Sequence, residues 1–354
     1  MNRDRRRLLR LVPPALLLGS ASSLLSPLVA APARSGKRPR VALLLPLSGP
    51  SATVGLSMQR AAALAQSPGG KADETMVLDT GGTAAGAVEA VRQALKRDAR
   101  ALVGPLFAEE SRAAAGAAGQ VPVLSFSNDE DLIGSGAFLL GITAGQSVTA
   151  ILRYARGRGV RRVAVFGGTS RWAAQGNAAA ERLRGAAGLD VAMLPTDTAA
   201  VDLPAVLRRQ GELPDALLVT EGGDALRQAA RALAGSGIQL LGTQQAMDLP
   251  PQDVAGAWLS APDPNALADF SGRYQKAGAT GPGLIAALAY DAMTIVEALR
   301  ANGVVDRSAL LAVPQFNIVT GPIRFAADGS AARALAVLVA GPDGYGVADK
   351  SGSL

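Results

Sequence analysis

The chain has 354 residues, of which 49% are apolar and 18% charged, enough for two domains with packed cores and unlike a disordered segment. It contains no cysteine and no histidine, which excludes disulfides, thiolate nucleophiles, iron–sulfur clusters, the Ser-His-Asp arrangement and the HExxH metal site. Residues 1–33 hold five of the 35 basic residues and one of the 29 acids, so the net charge of +6 falls to +2 for the rest, and with few aromatics there is no nucleic-acid footprint.

The first predicted element is a leader, residues 1–33. A basic head, "NRDRRRLLR", precedes an apolar stretch broken by Pro13, Pro14 and Pro27. Ala31-Pro32-Ala33 then fits a small-x-small cleavage site. "DRRRLLR" resembles the twin-arginine export signal, with Asp4 in place of the usual Ser or Thr, so the general secretory route stays open. A membrane anchor is the alternative, but the apolar run is short and interrupted for the ~20 residues a span needs. A lipid anchor would need a cysteine. The expectation is an exported, periplasmic protein whose mature form has no membrane span.

Beyond residue 38 short apolar runs alternate with helical patterns. Strands are predicted at 41–45, 75–79, 101–103, 121–126, 162–166, 190–194, 215–219 and 238–242. Helices are predicted at 53–66, 83–97, 108–119, 145–158, 174–186, 202–210, 224–236 and 283–301. This rhythm implies parallel sheets with helices on both faces. The order breaks after "VPVLSF", where "AFLLGI" (137–142) follows without a full crossover helix, and again at "GAWLSAPDPN" (256–265) with Pro262 and Pro264. The tail reads as short strands joined by Asp-Gly turns at Asp328-Gly329 and Asp343-Gly344. The expected architecture is α/β, two doubly wound parallel-sheet lobes joined by three strands. Lobe one comprises 38–142 and 260–312, and lobe two 143–259 and 313–350.

Catalytic and cofactor motifs are missing from this frame. There is no P-loop, GxSxG elbow or SxxK. The stretch Gly281 to Ala286 fits GxGxxA by letter, but it follows a polar segment and not a strand, so it is read as chance. No cofactor is expected, and no catalysis. What remains is a set of polar and aromatic residues where strands end, the place where open α/β sheets bind ligands. These candidates are Ser48 and Ser51 after the first strand, Phe107 after the third, and Ser125, Phe126 and Ser127 at the end of the fourth. In the second series they are Trp172 and Glu221. Hydroxyls and unpaired helix N–H groups suit a carboxylate, an acid suits an ammonium, and aromatics suit an apolar wall. Helix capping is the alternative for Ser48, Ser51 and Ser170, a solvated helix start for Glu221, and cover of the lobe edge for Trp172. Tyr290 and Asp291 are read as packing and a helix-surface pair.

The leader, "RVALLLPLSGPSATVG", "VPVLSFSND", "RRVAVFGG", "AALAYDA" and "GPIRFAADG", in this order and spacing, resemble the type I periplasmic binding proteins of the Leu/Ile/Val receptor group over residues 38–350. "DTGGTAAGA", "GPLFA", "LLGT", "GAW" and "RFAADGSAAR" look more like one subgroup, the penicillin-binding protein activators. The resemblance implies a cleft that traps a small molecule such as an amino acid for a membrane permease of the ABC type. Its activator side implies contact with a cell-wall synthase instead. Two departures from the amino-acid receptors stand out. Leu106-Phe107-Ala108 occupies the place of a small hydroxyl residue, and Trp172 that of a Tyr followed by Gly.

Overall fold

The computed structural model describes residues 38–66, 74–185, 188–209, 211–278 and 281–350. The expected leader, 1–33, lies outside the described residues. Five parallel strands, β1 (Val41–Leu45), β2 (Thr75–Asp79), β3 (Ala101–Val103), β4 (Val123–Ser125) and β5 (Ala137–Leu139), form the first sheet in the order β2-β1-β3-β4-β5. They alternate with α1 (Ala52–Leu64), α2 (Ala84–Lys96) and α3 (Ala108–Ala117), while a single 3-10 turn, Glu130–Leu132, joins β4 to β5. Every residue of β1 is buried. Val41, Leu43 and Leu45 pack in one cluster with Met58 and Met293, and Ala42 and Leu44 in another with Ala87 and Val91. With both faces covered, the strand reads as an unbroken apolar run instead of an alternation.

The second sheet follows α4 (Ala144–Gly157), whose start is fixed by a capping box: Gln146 N–H donates to Thr143 Oγ1, and Thr143 N–H to Gln146 Oε1, both at 3.2 Å. Its elements run β6 (Arg162–Phe166), α5 (Arg171–Arg182), β7 (Asp190–Met193), α6 (Leu203–Arg209), β8 (Ala216–Val219), α7 (Gly223–Ala232), β9 (Gln239–Gly242) and β10 (Trp258–Ala261). The chain returns through α8 (Pro264–Lys276), α9 (Leu284–Ala301) and α10 (Arg307–Ala312). It ends in the hairpin β11 (Ile323–Phe325)–β12 (Ala331–Arg333) and the hairpin β13 (Ala336–Gly341)–β14 (Gly344–Asp349). The strand order is β14-β13-β10-β9-β8-β6-β7, and β13 and β14 are antiparallel, so this sheet is mixed and not wholly parallel. Among the described residues no helix is long and apolar enough to cross a membrane.

The chain leaves the first sheet after β5, builds the second from β6 to β10, and rejoins it at β13. Phe270, Tyr274, Phe316, Ile323 and Phe325 share a core with α1 and α9, so everything from α8 to β11 packs on the first sheet. Two sequence readings are amended here. The break expected at 256–265 is present, but it is followed by an unexpected helix: Pro264 opens α8, with Asp263 Oδ1 accepting from Asn265 N–H at 2.9 Å, because proline fits the first turn of a helix. Asp291 is not on a helix surface but wholly buried.

Candidate ligand cleft

Both sheets reverse strand order at a switch point, β1/β3 in one and β6/β8 in the other. A cavity of about 730 Å³ opens between the lobes. The first lobe supplies Leu106 and Phe107 from the β3–α3 loop, Phe126 to Asp129 after β4, Ile142, and Leu284, Ile285 and Leu288 at the start of α9. The second supplies Arg171, Gln244 and Gln245. The wall is largely apolar on one side, with a guanidinium and two amides facing it. Such a lining recognises an apolar body with a polar or anionic end.

Three of the expected residues, Phe107, Phe126 and Ser127, line this cavity. Phe107 is 40% exposed, and its N–H donates to Glu110 Oε2 at 3.0 Å, which sets the start of α3. Burial pushes the Glu110 carboxyl up, against hydrogen bonds from Thr80, Phe107 and Leu106. Ser127 Oγ accepts from Asp129 N–H at 3.2 Å. Ser125 sits behind the wall, its hydroxyl 2.6 Å from that of Ser111 and accepting from Ser127 N–H at 3.1 Å. It shapes the strand end without lining the cavity.

The other candidates lie elsewhere. Leu47, Ser48 and Gly81 donate their N–H groups to one oxygen, Asp79 Oδ1, at 2.8, 3.2 and 2.8 Å. Burial raises the Asp79 carboxyl, but the Ser48 hydroxyl and these amides outweigh it and hold the group below its ordinary range. The amides of Leu47 and Ser48, in the loop before α1, are thus met by a carboxylate of the chain itself. Ser51 is the N-cap residue of α1, without a capping bond from its side chain. Trp172 is half-buried in the first turn of α5, its Nε1 buried without a hydrogen-bond partner. The Glu221 carboxylate fills the space a side chain at Gly168 would need. Neither lines the cavity.

Sequence reasoning passed over Arg171. Its Nη1 lies 2.8 Å from Asp129 Oδ2 and 2.7 Å from Asp131 Oδ2 across the cleft. Gln175 Nε2 donates to Asp129 Oδ1 at 2.7 Å, and Glu130 Oε1 accepts from Gly145 N–H at 2.8 Å. The "SFSND" motif signalled Asp129 as a polar strand end. Its partner 42 residues away stood among the polar residues after the strand at 162–166, but nothing in the sequence signalled the pairing. Among the described residues no group of three or more acids could hold a metal.

Two α/β lobes with switch points facing a shared cavity, and apolar and hydrogen-bonding groups on opposite walls, define a two-lobe binding protein. The chain belongs to the periplasmic binding protein family, whose model matches residues 39–344. Among solved structures it is similar to a putative branched-chain amino acid ABC transporter from Rhodospirillum rubrum, at 22% identity and TM-score 0.76, covering 88% of this chain and all of that one. It is similar to the C-domain of LpoA from Haemophilus influenzae, a regulator of PBP1A, at 18% identity and TM-score 0.69, covering 87% and 99%. A solute-binding protein from Rhodopseudomonas palustris in complex with 3,4-dihydroxybenzoic acid follows at 20% identity and TM-score 0.61, covering 89% and 96%. Among curated proteins none matches. These likenesses define the fold.

Proposed function

We propose that this chain is a periplasmic, non-catalytic receptor that captures a small amino-acid-like molecule in the interlobe cleft for uptake by an ABC-type permease. One observation carries this reading: a cavity of about 730 Å³ between the lobes, whose first-lobe wall combines an apolar surface with Glu109, Arg112 and the polar run Ser127 to Asp129, faced by Arg171, Gln244 and Gln245 from the second. The lining favours a ligand with an apolar body and a carboxylate, met by Ser127 on one side and Arg171 on the other. The expected lobes are 38–142 with 260–312 and 143–259 with 313–350, with the third boundary open to adjustment by packing. Burial of Phe316, Ile323 and Phe325 in the first core favours a third crossing after residue 333.

The test is thermal unfolding with branched-chain amino acids, short peptides, benzoate and hydroxybenzoates. A ligand at 100 times its Kd stabilises the fold by about 2.7 kcal/mol. Calorimetry on Ser127→Ala should then show affinity about tenfold weaker or worse, since a hydroxyl bond to a charged group contributes roughly 1.5–3 kcal/mol. Unchanged affinity would remove Ser127 from the site.

A second reading, a penicillin-binding protein activator-like regulator acting by protein contact, is favoured by the bridge from Arg171 to Asp129 and Asp131, which links the lobes with the chain's own charges. It expects no stabilisation by any small molecule, together with direct binding to a purified cell-wall synthase. Export is common to both readings. Edman sequencing of periplasmic protein should begin at Arg34, and replacing Arg5 and Arg6 by Lys should block export if the twin-arginine route is used. Recovery of the intact N-terminus on cytoplasmic protein alone would sink this expectation.

A further inference from the structure

A second and larger groove, of about 1060 Å³, lies where α4 meets β12 and the end of β14, and shares no lining residue with the cleft. Its cations are Arg153, Arg158, Arg182, Arg324, Arg333 and Lys350, against Glu130 and Asp349. Arg333 is answered from behind: its Nη1 donates to Thr320 Oγ1, which in turn donates to Asp291. Arg182 has Glu130 at 3.7 Å. Among the described residues Arg153, Arg158, Arg324 and Lys350 have no carboxylate within ion-pair distance, and Asp349 alone remains to oppose them. Residues 34–354 together carry a net charge of only +2, so this groove gathers positive charge that the rest of the surface balances.

We infer that this groove is a docking site for an acidic, carboxylate-rich peptide segment of a partner protein. Charge complementarity is the first argument, since unmatched cations on α4, β11 and the end of β14 surround one groove. Arg333 is the second: it is 7% exposed and lines the groove, and its Nε has no hydrogen-bond partner. A buried donor in a basic groove asks for an acceptor. Size and edge geometry choose a peptide over a compact anion. At about 1060 Å³ the groove has room for several residues of an extended chain. Its floor includes Ala348 to Lys350, and β14 is the outer strand of its sheet, so an extended chain can run beside it. The inference stands apart from the identity of the cleft ligand.

Fluorescence anisotropy of a labelled hexaglutamate peptide with the full chain, at low salt, tests it. The wild type should bind. Arg153→Glu/Arg324→Glu, both positions exposed, should weaken binding by at least about tenfold, while Arg92→Glu/Arg231→Glu, with the same change in net charge on α2 and α7, should stay within about twofold. A hexaglutamine peptide should not bind. Equal loss in both double variants would reduce the effect to net charge and overturn the proposal. So would failure of the wild type to bind, or citrate binding as tightly as the peptide, which would make this a compact-anion site. Melting curves establish that each variant folds, and Arg153→Ala/Arg324→Ala replaces the charge reversal if it does not.

Discussion

Asp291→Ala should cost about 3–5 kcal/mol of stability, the range for removing one member of a buried charged pair. Asp291 is wholly buried in the middle of α9. Its Oδ1 accepts from Val319 N–H at 2.8 Å, and its Oδ2 from Thr320 N–H at 3.0 Å and Thr320 Oγ1 at 2.6 Å. Arg333 Nη1 donates to the same Thr320 hydroxyl at 2.6 Å, and its Nη2 to the carbonyl of Leu140. One carboxylate therefore ties α9 to the loop before β11 and, through Thr320 and Arg333, to the backbone of Leu140 just after β5. Alanine leaves three donors, the Val319 and Thr320 amides and the Thr320 hydroxyl, without their acceptor, and removes the negative charge that faces the buried Arg333 guanidinium. Asparagine is no remedy, because its NH₂ must face either the Val319 or the Thr320 amide. Urea unfolding measures the loss, and a change under about 1 kcal/mol in both variants would show that the network is not structural.

The same group gives a pH signature. Burial pushes the Asp291 carboxyl up to about 6, against the pull of Thr320, Val319 and Arg333. Burial also lowers Arg333, to about 10, so the guanidinium stays charged at neutrality. A carboxyl whose folded value lies above its unfolded one takes up a proton on folding. Its contribution is full below the unfolded value of 3.8 and is lost as pH rises through about 6. The stability gap between wild type and Asp291→Asn should thus be wider at the acid end of that window than at pH 7. A gap that narrows on acidification would reverse the assignment.

The sequence makes strands legible where both faces are covered, as at Val41–Leu45 and Ala216–Val219, because burial on two sides leaves no polar position to blur the run. Helix starts at Thr83 and Ser170 are equally legible, since a hydroxyl beside an orphan amide is a local event. Asp291 is not legible. An acid in an alanine-rich helix reads as its wet face until a loop 28 residues later brings three donors to it. The cleft is half-legible for a similar reason. Strand ends point to Phe107, Phe126 and Ser127, but whether a hydroxyl faces the cavity or a neighbour depends on the next helix, and Ser111 claims Ser125. Asp79 takes the amides of Leu47 and Ser48 from just past the end of the preceding strand, 32 and 31 residues back in sequence. Arg171 meets Asp129 only because two separately built lobes face each other. Local pattern encodes elements, while pairing across lobes depends on the assembled fold.

Gly329→Ala should be strongly destabilising. The Asp-Gly turn between β11 and β12 is readable as a hairpin, yet its glycine answers to more than the turn. Gly329 has φ +88°, and a Cβ there would lie 2.0 Å from the carbonyl oxygen of Ala137 in β5. That closeness is functional to the sheet. Leu139 N–H donates to the Gly329 carbonyl at 2.9 Å, and Gly134 N–H to the Asp328 carbonyl at 2.7 Å. The turn thereby covers the outer edge of β5, the last strand of its sheet, which would otherwise present open hydrogen-bonding groups. Alanine must both hold a left-handed backbone, at roughly 1–3 kcal/mol, and push the turn off the strand, at about 1–3 kcal/mol more. Gly119→Ala separates the two costs. Gly119 has φ +61° with nothing within 4 Å of its would-be Cβ, so it carries the backbone cost alone. Denaturant unfolding should place Gly329→Ala clearly below Gly119→Ala. Faster exchange of the Leu139 amide in the first variant, but not in the second, would locate the damage at the strand edge. Equal losses would mean that the turn merely touches β5 and does not close it.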